Sequence, residues 1–151
     1  MSNTQAMCTS FKGEILSGVH ALGTTVVRST TAVDTLKAAL FLASATINAA
    51  TTAYAATGEV SGTNYSAGGI TVTNANPPTT GGTTGYWTPS ASLIYTSVTL
   101  STAFDCVLIY NSTQSNKAIS AHTFGSQTVT AGTFTLTMPT SDASNALIRI
   151  A

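Results

Sequence analysis

Charge is what this chain has least of. Five of its 151 residues are Lys or Arg and five are Asp or Glu, a charged fraction of 7%, where ordinary soluble proteins carry about 25%. The two signs cancel to a formal net charge of zero. Such a surface offers no cluster of cations to hold phosphate groups, so neither nucleic acid nor an anionic membrane is an expected partner. Cysteine is almost as scarce. Cys8 and Cys106 stand far apart with no CxxC pair, which excludes a disulfide framework and a zinc ribbon. The opening MSNTQAMCTSFKGE has neither the basic start nor the apolar run of a secretory signal. The most apolar stretch, AALFLASATINAA (38–50), is broken by Ser, Thr and Asn and is too short to cross a bilayer. The expectation is a protein made in a cytoplasm and kept there, or built into something assembled there.

What the chain has instead is hydroxyl groups. Ser and Thr make up close to a third of it, beside a hydrophobic fraction of 43%. Disordered chains share the first property but lack the second, so a folded domain with a real core is expected. With no net charge, copies of the chain do not repel one another, which suits proteins that pack side by side.

Apolar periodicity divides the chain into a front segment and a β body. Residues 1–9 read as a polar lead-in, with Thr9 or Ser10 as an N-cap. Phe11, Ile15, Leu16 and Val19 then fall close to one helical face. Gly13 and Gly18 weaken that helix by about 1 kcal/mol each, so its apolar face must lie on something, either its own domain or a neighbour. Those four residues are the candidate partner contacts. TTVVRSTTAV (24–33) reads as an extended arm or an edge strand. The expected organisation is an N-terminal arm with a short amphipathic helix over 1–33 and a β-sandwich domain over 34–151.

LKAALFL (36–42) is apolar on both faces, as a central strand requires. Residues 44–69 read as a long excursion with one helical turn near 49–55, and GITVTNA (69–75) alternates again. NPPTTGGTTG (76–85) is rich in turn residues and reads as a surface loop, closed by Tyr86 and by Trp87 as a lid on the core. IYTSVTL (94–100), with Ile94, Val98 and Leu100 on one side, and FDCVLIY (104–110) read as two strands, followed by a turn at 111–116 and a strand at 117–124. QTVT and TFTLTM are expected to form a hairpin across Ala131 and Gly132. Phe134, Leu136 and Met138 should face inward and Thr133, Thr135 and Thr137 outward. Pro139 ends that run and ALIRI (146–150) closes the chain. About eight short strands between turn signals make a mainly β protein, an antiparallel β-sandwich or jelly-roll-like single domain.

Convergent chemistry is hard to assemble from this sequence. His20 and His122 have no carboxylate or cysteine cluster around them in the sequence and read as satisfied polar groups. Asp34, Asp105 and Asp142 are scattered, Glu14 and Glu59 have no reason to meet, and no serine sits in a GxSxG elbow. TNYSAGG and GTTGY lack the Lys-Ser/Thr ending of a phosphate loop. Cys8 and Cys106 read as unreactive thiols. No enzyme activity, cofactor or metal is expected. Tyr54, Tyr65, Tyr86 and Trp87 leave a carbohydrate-binding module as a weaker alternative.

A resemblance adds to this reading. SFKGEILSGVH (10–20), DTLKAALF (34–41), TTAYAATGEVSGTNYSAGG (51–69), IYNSTQSNKAI (109–119), FG (124–125), GTFTLTMP (132–139) and ALIRI (146–150) resemble, in order and over nearly the whole length, a family of small virion structural proteins of tailed bacteriophages. The chain departs from that pattern where ALGTTVVRSTTAV separates the front segment from DTLK. It also departs in the Thr/Gly-rich rather than acidic loop before Trp87. The resemblance implies a capsid decoration, or cement, protein on the outer capsid surface of the virion. It also implies the major capsid protein as partner and a homo-oligomer, trimer or dimer. A tail, neck or fibre component is the alternative within the same resemblance.

Overall fold

The computed structural model describes residues 3–8, 11, 15, 19–24 and 33–151. Its centre is β2 (Leu36–Leu42), whose side chains are buried on both faces except for the half-buried Lys37 and Leu42. That burial is what an unbroken apolar run with no turn residue demands. β2 lies between β6 (Leu93–Asn111) and the short β3 (Ile70–Thr71), antiparallel to both. Beyond β6 come β7 (Lys117–Leu136) and the two-residue β1 (Ala6–Met7), completing a five-stranded sheet in the order β1-β7-β6-β2-β3. β4 (Thr79–Gly81), β5 (Thr84–Trp87) and β8 (Ile148–Ile150) make a second, three-stranded antiparallel sheet. The protein is mainly β, a sandwich of two antiparallel sheets. Trp87 and Ile148 of the small sheet share one buried cluster with Leu40, Phe41, Phe104 and Leu108 of the large one.

Several turns expected from the sequence are continuous strand instead. β6 is one strand of 19 residues and β7 one of 20, joined through the turn that follows Asn111, where Ser115 and Asn116 carry positive φ. Ala131 and Gly132 do not reverse the chain. Ala131, at φ 46°, is part of a bulge in which three steps of β7 oppose two of β6, and its N–H donates to Thr99 Oγ1 at 3.0 Å. TFTL therefore pairs with LIY of β6 (Leu93 with Leu136, Tyr95 with Phe134), not with QTVT. The inward–outward alternation of residues 133–138 is as expected.

Ile94 does not share a side with Val98 and Leu100. It is 51% exposed, while Leu93 and Tyr95 are buried. A bulge at Ser97 (φ 53°) adds one residue to β6 between the Tyr95 and Val98 pairings. One inserted residue moves every later side chain to the opposite face.

The stretch 76–85 is also more ordered than a loop. Gly81 pairs with Thr84, and Gly82, at φ 60°, occupies the first position of a two-residue turn where glycine is favoured. Residues 49–55 make no helical turn; a single turn closes from Thr51 N–H to the Asn48 carbonyl, and Ala53 then bridges Lys117. Of 69–75 only Ile70–Thr71 is strand. Gly69 permits it: a Cβ there would lie 1.8 Å from the Ala38 carbonyl oxygen.

Residues 3–8 and Phe11, expected to belong to an arm, are built into the β body. Ala6 and Met7 pair with Ala121 and Ser120. Thr4 N–H bonds the Ile47 carbonyl, and Cys8 N–H the Ile119 carbonyl. The Asn3 side chain accepts from Ile47 N–H and donates to the Leu42 carbonyl and Asp105. Cys8 and Phe11 are fully buried in the common core.

Candidate functional site

The four apolar residues of the front segment fare differently. Phe11 is helical and wholly buried within its own chain, so it offers a partner no surface; its aromatic bulk is what fastens the segment to the body. Ile15, also helical, is half-buried against the same core. Val19 is half-buried, and Leu16 lies outside the described residues, as does most of 24–33. The expected choice between own domain and neighbour is thus settled for Phe11 in favour of its own domain.

Beside Phe11, side chains that are distant in sequence converge. Asp34 is buried and accepts from Ala21 N–H at 3.0 Å, from Asn111 Nδ2 at 2.7 Å and from Gln114 Nε2 at 3.3 Å. Asn111 Nδ2 also lies 3.1 Å from His20 Nδ1, and the His20 ring meets Phe11 edge-on at 4.8 Å. Pairing of Leu36 with Asn111 sets this meeting, because Asp34 precedes Leu36 by two residues on the same chain. The cluster ties the front segment and the β6–β7 turn to the start of β2. A buried carboxylate needs such donors, and here they come from two parts of the chain, the front segment and the β6–β7 turn.

A second cluster surrounds Glu59, which accepts from Tyr54 Oη (2.6 Å), Tyr65 Oη (2.8 Å) and Gly68 N–H (2.8 Å). Tyr65 Oη in turn accepts from Leu40 N–H. Tyr54 stacks on Tyr110 at 4.6 Å, and Tyr110 Oη donates to the Gly68 carbonyl. Burial, reinforced by the Glu59 carboxylate, pushes the phenols of Tyr54, Tyr65 and Tyr95 well above their ordinary range, and raises that of Tyr110. The arrangement pins residues 53–69 onto the large sheet. Tyr54 and Tyr65 are committed to it, while Trp87 is buried with Nε1 donating to the Asn76 carbonyl. The four aromatics therefore do not form one platform.

Elsewhere the chemistry is quiet. Burial depresses His122 to about 4, and its Nε2 lies 2.9 Å from Ser120 Oγ. Cys8 and Cys106 are buried free thiols, and burial with the Asp105 charge pushes Cys106 up to about 12, where little thiolate forms. Among the described residues no group of three His, Cys, Asp or Glu is placed to hold a metal, and no helix is long and apolar enough to cross a membrane. Two grooves remain. One of about 310 Å³ runs between Ile15, His20 and Leu22 and the small sheet at Tyr86, Trp87 and Ile148. A more polar one of about 600 Å³ lies between Gln5, Met7 and His122 and the C-terminal Asn145 and Arg149. The β6–β7 ribbon presents an open hydroxyl-rich surface, where Thr96, Ser126, Thr128, Thr130, Thr133 and Thr135 are exposed.

No protein-family model, curated protein or solved structure matches the chain.

Proposed function

We propose that this chain is a structural protein of a phage virion that decorates and cements the capsid, binding the outer face of the major capsid protein shell as a homo-oligomer. The reading rests on the sequence resemblance, and three of the seven segments that carry it also supply the side chains that fasten the fold. TTAYAATGEVSGTNYSAGG supplies Tyr54, Glu59, Tyr65 and Gly68, which close one cluster. DTLKAALF and IYNSTQSNKAI supply Asp34, Asn111 and Gln114, which close the other.

The physics of the surface agrees. A cement protein works through area buried against the shell, repeated at every lattice point. Uncharged Ser and Thr faces form hydrogen-bonded, hydrated contacts without accumulating repulsion. The test is stoichiometry in purified particles. A shell protein is expected on the order of hundreds of copies per particle, in fixed ratio to the major capsid protein. A few copies per particle would move the reading to the tail, neck or fibre, and none would remove it from the virion.

A further inference from the structure

Among the described residues, the large sheet leaves one edge of β7 uncovered. On β6, Leu93, Tyr95, Leu100 and Phe104 are exposed by 2% or less. Their neighbours on β7 are only half-buried: Leu136 opposite Leu93, Phe134 opposite Tyr95 and Val129 opposite Leu100. Phe134 belongs to an aromatic group with Phe104 at 5.0 Å and Phe124 at 5.3 Å, and Phe124 is half-open as well. The same inward face thus passes from closed to open within one strand spacing. β1 covers the outer edge of β7 only at Ser120 and Ala121. Among the described residues no strand pairs with that edge over 125–136.

Edges of this kind are normally protected by lysine, proline or an inward-pointing charge. Here no Lys, Arg, Asp, Glu or Pro occurs between Lys117 and Pro139. The run 132–136 is regular, since the extra residue at that level is in β6 and not in β7.

We propose that β7 is a self-association edge, on which β7 of a second copy adds antiparallel about a twofold axis at Phe134. Chain neutrality favours an identical partner, because no like charges meet across the axis. The second strand brings its own Phe134 and Leu136 over the half-open aromatic face and satisfies the edge amides and carbonyls. In this register Thr133 of one copy stands opposite Thr135 of the other, twice. The pairing goes beyond the virion reading: it is a property of the protein free in solution and holds or fails whether or not particles bind it.

Sedimentation and light scattering of the purified chain test it. The expected mass is twice 15.3 kDa, with hydrogen exchange at 125–136 slowing as concentration rises. Thr133 and Thr135 point to solvent, so their substitution leaves the fold intact. Thr133→Lys with Thr135→Lys sets lysine against lysine across both pairs, and Thr133→Lys with Thr135→Glu sets lysine against glutamate. The second variant is expected to dimerise about tenfold or more tightly than the first. A monomeric wild-type chain, or two variants of equal dimer affinity, overturns the proposal. A dimer whose protection falls elsewhere overturns it also.

Discussion

Replacing Glu59 with Ala should loosen the excursion from the large sheet by an amount the geometry sets. Three donors lose their acceptor: Tyr54 Oη, Tyr65 Oη and Gly68 N–H. Gly68 is buried, so the loss of the carboxylate acceptor for its N–H costs about 1–3 kcal/mol. Tyr54 opens to water and loses less. Tyr65 keeps the bond it accepts from Leu40 N–H. The expected total is about 2–4 kcal/mol, or a fall in Tm of about 5–15 °C for a chain of this size. Calorimetry of Glu59→Ala, Tyr54→Phe and Tyr65→Phe measures it. Tyr65→Phe should cost more than Tyr54→Phe, because it removes the donor to Glu59 and also strands the Leu40 N–H. A Glu59→Ala variant within about 0.5 kcal/mol of the wild type, or a reversed order of the two tyrosines, refutes the reasoning.

Other expectations follow from burial. Phe11→Ala empties a fully buried aromatic site and should cost about 3–5 kcal/mol in denaturant unfolding, whereas a free docking arm would lose nothing. His122, held at about 4 against about 6.5 when unfolded, binds fewer protons in the folded state. Stability should therefore fall as pH drops from about 6.5 through about 4, and His122→Gln should flatten that part of the curve. The phenols of Tyr54, Tyr65, Tyr95 and Tyr110 are raised in the folded state. Their contribution is present below about 10 and lost as pH rises beyond it, so ultraviolet titration should show them ionising only with unfolding.

The strands that could be read from sequence were those whose pattern is local. Leu36–Leu42 matches because an unbroken apolar run has few alternatives, and the outward threonines at 133, 135 and 137 follow from simple alternation. Long-range pairing decided the rest. Ser97 gives no local sign of a bulge, yet it turns Val98 and Leu100 to the face opposite Ile94. Ala131 and Gly132 carry a hairpin signature that TFTL overrides by pairing with β6. Residues 3–8 read as a polar lead-in because Asn3 and Gln5 look soluble, but a side chain three residues from the start bonds Ile47, Leu42 and Asp105. The clusters around Asp34 and Glu59 were invisible for the same reason. Each carboxylate meets its donors only after the sheet register is set.

The proposed place of the protein on the capsid is tested most directly by a particle reconstruction. The expected result is density for the β-sandwich repeated over the outer surface of the head, seated on the major capsid protein. Density confined to the tail or neck, or none in the particle, would contradict it.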